Sequence, residues 1–153
     1  MRRSIAVLAV LALAAVALTG LTAIASSATS QPATVKTGTS ALGRIIVDGK
    51  SHTLYLFEKD KKGKSACSGT CAQNWPPLLT KGAPKAGAGA KAGLLGTTRR
   101  SDGTTQVTYN KHPLYTFVGD AGKRGATTGQ GLNAFGARWY VLAAKGTAKL
   151  GGY

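Results

Sequence analysis

The sequence predicts a mainly β fold: a small antiparallel sheet or barrel-like domain of two pseudo-equivalent β-hairpin repeats. Three observations carry that prediction. The stretch from His52 to Asp60 (HTLYLFEKD) recurs from His112 to Asp120 (HPLYTFVGD), with His, Leu, Tyr, Phe and Asp kept at an offset of 60 residues. Each copy follows a strand-like run and a turn signal, Ile45 to Val47 before Asp48-Gly49 and Gln106 to Tyr109 before Asn110-Lys111. Within the first copy Leu54 and Leu56 alternate with Tyr55 and Phe57, so the strand has two apolar faces and should be covered on both.

The N-terminal residues stand apart from this pattern. Arg2 and Arg3 precede an apolar run from Ile5 to Leu18 and the small-residue signature Ala23-Ile24-Ala25, so residues 1–25 read as a signal peptide. That run is shorter than the ~20 residues that span a bilayer, and no transmembrane segment is expected after cleavage. Residues 26–41 are rich in Ser, Thr and Ala with one Pro, and are expected to form a flexible leader. The domain is expected over 42–143, with repeats at about 42–80 and 97–143, a linker at 81–96 and a tail at 144–153.

Along the chain, Gly43 to Asp60 reads as the first hairpin. Ser68 to Trp75 follows as one or two helical turns around Cys71, ended by Pro76-Pro77, and Pro76 drives Trp75 out of helical geometry. Residues 81–93 (KGAPKAGAGAKAG) are low-complexity and carry little to bury, as suits a connection. The second hairpin spans 104–117. The glycines at 125, 129, 131 and 136 imply a convoluted, close-packed loop, and Arg138 to Ala143 forms a last strand. At the repeat offset Phe135 answers Trp75, whereas a local shift pairs Trp75 with Trp139; the sequence leaves both open. Tyr55, Phe57, Tyr115 and Phe117 belong to a core, while Trp75, Phe135, Trp139 and Tyr140 either cover its open end or line a groove.

Charge speaks about partners. Without Arg2 and Arg3, 18 basic residues stand against five acidic ones, a formal +13. Lys59, Lys61, Lys62 and Lys64 cluster in one loop, and Arg124 lies in its counterpart. Export makes nucleic acid an unlikely routine ligand. An anionic envelope polymer, a lipid headgroup or an acidic protein surface fits better, beside the alternative of a solvated surface without a partner.

The chemical candidates are few. Cys67 and Cys71, in an exported chain, suggest a local disulfide; a metal pair is the alternative. His52 and His112, the only histidines, occupy equivalent positions and would hold a transition metal such as copper or zinc if the fold brought them together. Asp60 and Asp120 suit acceptance of backbone amides where a strand leaves for a loop, with acid–base or Ca²⁺ chemistry as the alternative. No nucleophile elbow, dinucleotide fingerprint or phosphate-binding loop is present, so neither catalytic residues nor an organic cofactor are expected.

The tandem Tyr-x4-Asp motif, Tyr55…Asp60 and Tyr115…Asp120, resembles that of a bacterial family of secreted-repeat lipoproteins. Cys67-x3-Cys71, Asn74-Trp75-Pro76-Pro77-Leu78, His112-Pro113-Leu114-Tyr115, Gly129-Gln130-Gly131 and Trp139-Tyr140-Val141 support the resemblance. It implies a secreted or cell-envelope protein of unknown function, and no activity to carry over. Neither cysteine lies near the cleavage site, so the expected form is extracytoplasmic without a lipidated N-terminal Cys.

Overall fold

A computed structural model describes residues 31–150. The expected signal peptide and the first residues of the expected leader lie outside them. The strands are β1 Thr34–Ser40, β2 Gly43–Asp48, β3 Tyr55–Phe57, β4 Lys85–Ala86, β5 Leu95–Arg99, β6 Thr105–Tyr109, β7 His112–Pro113, β8 Asn133–Ala134 and β9 Ala137–Val141. The one α-helix among the described residues, α1, is the short turn Thr70–Asn74. Three three-stranded sheets result, ordered β2-β1-β4, β5-β6-β7 and β3-β9-β8. The fold is mainly β and duplicated, as expected, but the sheets do not close into a barrel. Single bridges such as Val47↔Thr53, Tyr55↔Tyr115 and Leu79↔Gln106 tie them instead to segments outside the strands.

The first hairpin differs from the sequence reading. Residues 26–41 were expected to be a flexible leader, yet 34–40 form β1, paired antiparallel with β2 from Val35↔Asp48 to Ser40↔Gly43. Only Val35 in β1 is buried, so the strand carries no apolar alternation; its Thr and Val residues and the pairing with β2 make it a strand. The second copy repeats the plan, with β5 on β6 from Leu95↔Tyr109 to Arg99↔Thr105. Its turn onto β7 places Asn110 and Lys111 at φ 48° and 65°, the two positive values a two-residue type I′ loop requires.

The low-complexity stretch is docked rather than loose. β4 runs parallel to β1, Gly87 N–H donates to Val35 O at 2.7 Å, and Thr37 N–H donates to Ala88 O at 2.9 Å. It contributes backbone hydrogen bonds instead of side-chain burial. A Cβ on Gly87 would come within 2.9 Å of Lys36 Cβ, which explains why small residues lie along this edge. The described part of the expected tail, 144–150, also folds back: Lys149 N–H donates to Val141 O at 2.8 Å and Ala143 N–H to Thr147 O at 2.9 Å.

The two faces of β3 lead into two cores. Tyr55 and Phe57 pack with Ile45, Val47, Trp75, Tyr115, Trp139 and Val141, whereas Leu54 and Leu56 pack with Ile46, Val107, Leu114, Tyr140 and Leu142. The first core is organised by a four-ring stack, Phe57–Trp139–Trp75–Phe117, with successive centroids 4.0, 4.0 and 4.1 Å apart. Tyr55 meets Trp75 edge-on at 5.3 Å and Tyr115 meets Trp139 edge-on at 5.1 Å. Trp139 is therefore the counterpart of Trp75, and Phe135 is 40% exposed outside the stack. The tryptophans are core residues and line no groove.

Gly129 is squeezed between this stack and Tyr55: a Cβ there would lie 2.7 Å from Trp75 Cη2 and 3.0 Å from Tyr55 Cε1. Gly129→Ala should therefore destabilise the protein by about 1–3 kcal/mol, the usual cost of overpacking. Gly93→Ala, with open space at its Cβ, should stay within about 0.5 kcal/mol of wild type in the same denaturant titration.

Candidate functional site

The repeated Tyr and Asp residues meet across the two copies rather than within each. Tyr55 N–H donates to Tyr115 O at 2.8 Å and Tyr115 N–H returns to Tyr55 O at 3.0 Å, an antiparallel bridge that is itself locally twofold. The side chains obey the same symmetry. Tyr55 Oη donates to Asp120 Oδ2 at 2.8 Å, and Tyr115 Oη donates to Asp60 Oδ2 at 2.9 Å. Each copy thus supplies the acceptor for the other's phenol.

Both carboxylates also take a backbone amide, the role expected from their position after a strand. Ala66 N–H reaches Asp60 Oδ1 at 2.7 Å, and Thr128 N–H reaches Asp120 Oδ1 at 3.0 Å with the Thr128 hydroxyl at 2.7 Å. Sequence reasoning missed the exchange of partners because the Tyr-x4-Asp spacing says nothing of how the two copies are placed against each other. It also missed Arg100, buried beneath the Asp60 side, which donates to Ser65 Oγ at 2.8 Å, Gln106 Oε1 at 2.8 Å and Cys67 O at 2.7 Å. Ser65 Oγ lies 2.7 Å from Tyr115 Oη, so Arg100, Ser65, Tyr115 and Asp60 form one polar chain. Nothing in the local sequence marks Arg100 among 18 described basic residues.

The environments tune these groups. Burial, reinforced by the Asp120 carboxylate, raises the Tyr55 phenol well above its ordinary value, and burial followed by the Asp60 charge does the same for Tyr115. Both phenols stay protonated donors. Asp60 is pushed up to about 6 because desolvation outweighs the hydrogen bonds from Ala66 and Tyr115 and the Arg100 charge.

Cys67 and Cys71 form a disulfide with Cα atoms 5.3 Å apart, which fixes the turn leading through α1 to Trp75. In this oxidised form they are not a metal pair. The histidines do not share a hollow. His112 lines a groove of about 930 Å³ with Leu56, Phe57 and Asp60, whereas His52 lines a hollow of about 180 Å³ with Thr116, Phe117 and Asp120. Each His therefore accompanies the other copy's Asp. His52 Nδ1 sits 3.0 Å from Asp48 Oδ2, and burial lowers the His112 pKa. Among the described residues no three His, Cys, Asp or Glu side chains form a cluster able to hold a metal ion.

The basic loop is divided. Lys59 and Lys61 line the large groove, joined by Arg138 from β9, which sequence reasoning did not single out. Lys62 and Gly63 turn with φ 52° and 74° between the bridged Lys61 and Lys64. Arg124 belongs elsewhere: its neighbour Gly125 packs on Thr39 and donates to Ser51 O, on the side of the small hollow.

These features define a class: a duplicated, mainly β domain whose halves complete each other through exchanged Tyr–Asp pairs and a shared aromatic stack. Residues 36–79 and 96–143, more than half of the chain, match the family described as a secreted repeat of unknown function, and the chain belongs to that family. The first match begins inside β1, in accord with a strand at that position. No curated protein and no solved structure matches the chain.

Tyr55→Phe should destabilise by about 1–3 kcal/mol, because it strips a hydrogen bond from a buried carboxylate. Tyr115→Phe should cost less, since Asp60 borders the open groove while Asp120 is 5% exposed; equilibrium unfolding of the two variants tests the order. The Asp60 pKa makes a second expectation. A folded-state value of about 6 lies above the ordinary 3.8, so the native state holds the proton more tightly. Its stabilising contribution is complete below about pH 4 and is lost as pH rises through about 6. The stability difference between wild type and Asp60→Asn should therefore fall across that window, and a difference flat from pH 4 to 7 would contradict it.

Proposed function

We propose that this protein is a released, non-enzymatic binding module whose basic surface engages an anionic component of the cell envelope. The observation that carries the reading is the unequal use of charge. Four of the five carboxylates are engaged internally: Asp48 by Lys50 and His52, Asp60 by Tyr115 and Ala66, Asp102 by Thr104, and Asp120 by Tyr55 and Thr128. Among the described residues, Arg100 is the only Lys or Arg within ion-pairing distance of a carboxylate, at 3.5 Å from Asp102. The remaining 17 basic side chains have no acidic partner of their own. Such a surface attracts polyanions over a Debye length of about 10 Å at 0.1 M salt.

The two repeated aspartates line separate hollows and each accepts a phenol, an arrangement suited to holding the fold together rather than to paired acid–base work. The only two cysteines are joined to each other, which leaves no thiol for a lipid and favours the released form. Binding to poly(glycerol phosphate), followed by calorimetry, should be measurable at low salt and weaken steeply between about 0.05 and 0.5 M. Binding that ignores salt, or none at the low end, would sink the reading.

A further inference from the structure

The duplication supplies an internal comparison. The large groove and the small hollow occupy equivalent places: Leu56, Phe57, Asp60 and His112 around the first correspond to Thr116, Phe117, Asp120 and His52 around the second. Their charges differ. Lys59 and Lys61 have Gly119 and Ala121 as counterparts at the repeat offset, and Arg138 has Asn74 at the shifted offset that pairs the tryptophans. One fold position, present twice, carries three cations in one copy and none among the lining residues of the other. Lys123 and Arg124 follow the small hollow in sequence but do not line it.

The three cations are tethered without being neutralised. Lys59 Nζ donates to Phe135 O at 3.3 Å across the groove, Lys61 Nζ to Glu58 O at 3.2 Å, and Arg138 Nη1 to Gly131 O at 3.0 Å. Each uses one donor on a backbone carbonyl, which leaves two on each ammonium and four on the guanidinium. No carboxylate lies within 4 Å of any of the three among the described residues. Glu58, Asp60 and Asn133 line the same groove. Two carboxylates would oppose a bare polyanion, but they accept hydrogen bonds from hydroxyl groups.

We propose that this groove is the binding site for an anionic polymer bearing hydroxyl groups, of the polyol-phosphate or glycan-phosphate class. Lys59, Lys61 and Arg138 hold the phosphodiester, while Glu58, Asp60 and Asn133 take the hydroxyls. The site deepens the binding reading above and rests on it. A linear chain suits an open channel that runs between the Lys59–Lys61 loop and the β8–β9 hairpin. A flat bilayer surface would instead meet the exposed lysines wherever they lie.

The test compares two triple variants of equal charge. Lys59→Gln/Lys61→Gln/Arg138→Gln removes the groove cations, and Lys81→Gln/Lys85→Gln/Lys91→Gln removes three exposed ones from the docked connection. Against poly(glycerol phosphate), the first should lose roughly tenfold or more in affinity, three contacts each worth a few-fold, and the second much less. Thermal unfolding verifies that both are folded, and Lys59→Arg/Lys61→Arg/Arg138→Lys, which keeps the charge, should bind nearly as wild type does. Equal losses in the two Gln triples would overturn the groove while leaving a diffuse basic surface intact. Absence of wild-type binding would overturn the binding reading itself. Inorganic polyphosphate should bind the wild type more weakly than the hydroxylated polymer at matched phosphate; the reverse order would remove the role of Glu58, Asp60 and Asn133.

Discussion

The exchange of Tyr–Asp hydrogen bonds across the pseudo-twofold bridge is the constraint on which the rest of this structure depends. A buried phenol and a desolvated carboxylate are each costly alone, and pairing them offsets part of both penalties in one contact. Since the partner always comes from the other copy, neither repeat can satisfy its own motif. The backbone bridge between Tyr55 and Tyr115 sets the axis, and the two side-chain pairs then fix the Asp60 and Asp120 loops on opposite sides of it. A single repeat would leave an unmatched Asp, an unmatched Tyr and half of an aromatic stack.

The aromatic core follows the same logic. Phe57 stacks on Trp139 and Phe117 on Trp75, so each copy's Phe lies on the other copy's Trp, and the two indoles meet at the centre. The disulfide acts here at one remove. It constrains the turn that carries Trp75 into the stack, while Arg100 donates from Nη2 to Cys67 O and, from Nη1 through Ser65, reaches the Tyr115–Asp60 pair. The second copy has no disulfide; there the Gly-rich loop performs the equivalent task, with Gly129 N–H donating to Tyr55 Oη and its missing side chain making room for Trp75. Two different local devices support one symmetric centre.

How much of this was legible in the sequence depends on whether the information was local. The strand at Tyr55 to Phe57, the two-faced burial of Leu54 to Phe57, the turn at Asn110-Lys111 and the Cys67–Cys71 bridge all arise from neighbours in the chain, and the sequence pattern showed them; the expected strand from Leu114 to Phe117 shrinks to His112–Pro113 and a single bridge at Tyr115. β1 escaped because its stability comes from pairing with β2 and not from its own apolar period. The docked connection at 81–96 escaped for a related reason: Ala and Gly signal low burial, yet their smallness is what lets the backbone approach β1. The exchanged partners and the buried Arg100 were invisible because both depend on how the copies are placed in space. For Trp75 the sequence offered two counterparts, and stacking geometry selected Trp139.

The distinction between symmetric and asymmetric features also bears on where function resides. Duplication is kept where the fold needs it, at Tyr55/Tyr115, Asp60/Asp120, Phe57/Phe117 and Trp75/Trp139, all of which complete the shared centre. Outside that centre Leu54/Leu114 and His52/His112 are also kept, but the loops that follow the strands have diverged: Lys59 against Gly119, Lys61 against Ala121, Glu58 against Val118. Gly119 has a physical reason to lack a side chain, because a Cβ would run into the Phe117 ring. In the first copy the same backbone position is open enough for Lys59 to cross to Phe135 O. The wide groove and its two lysines are thus one consequence of a loop that escaped the packing imposed on its twin, and the repeated motif serves as the frame that holds that loop in place.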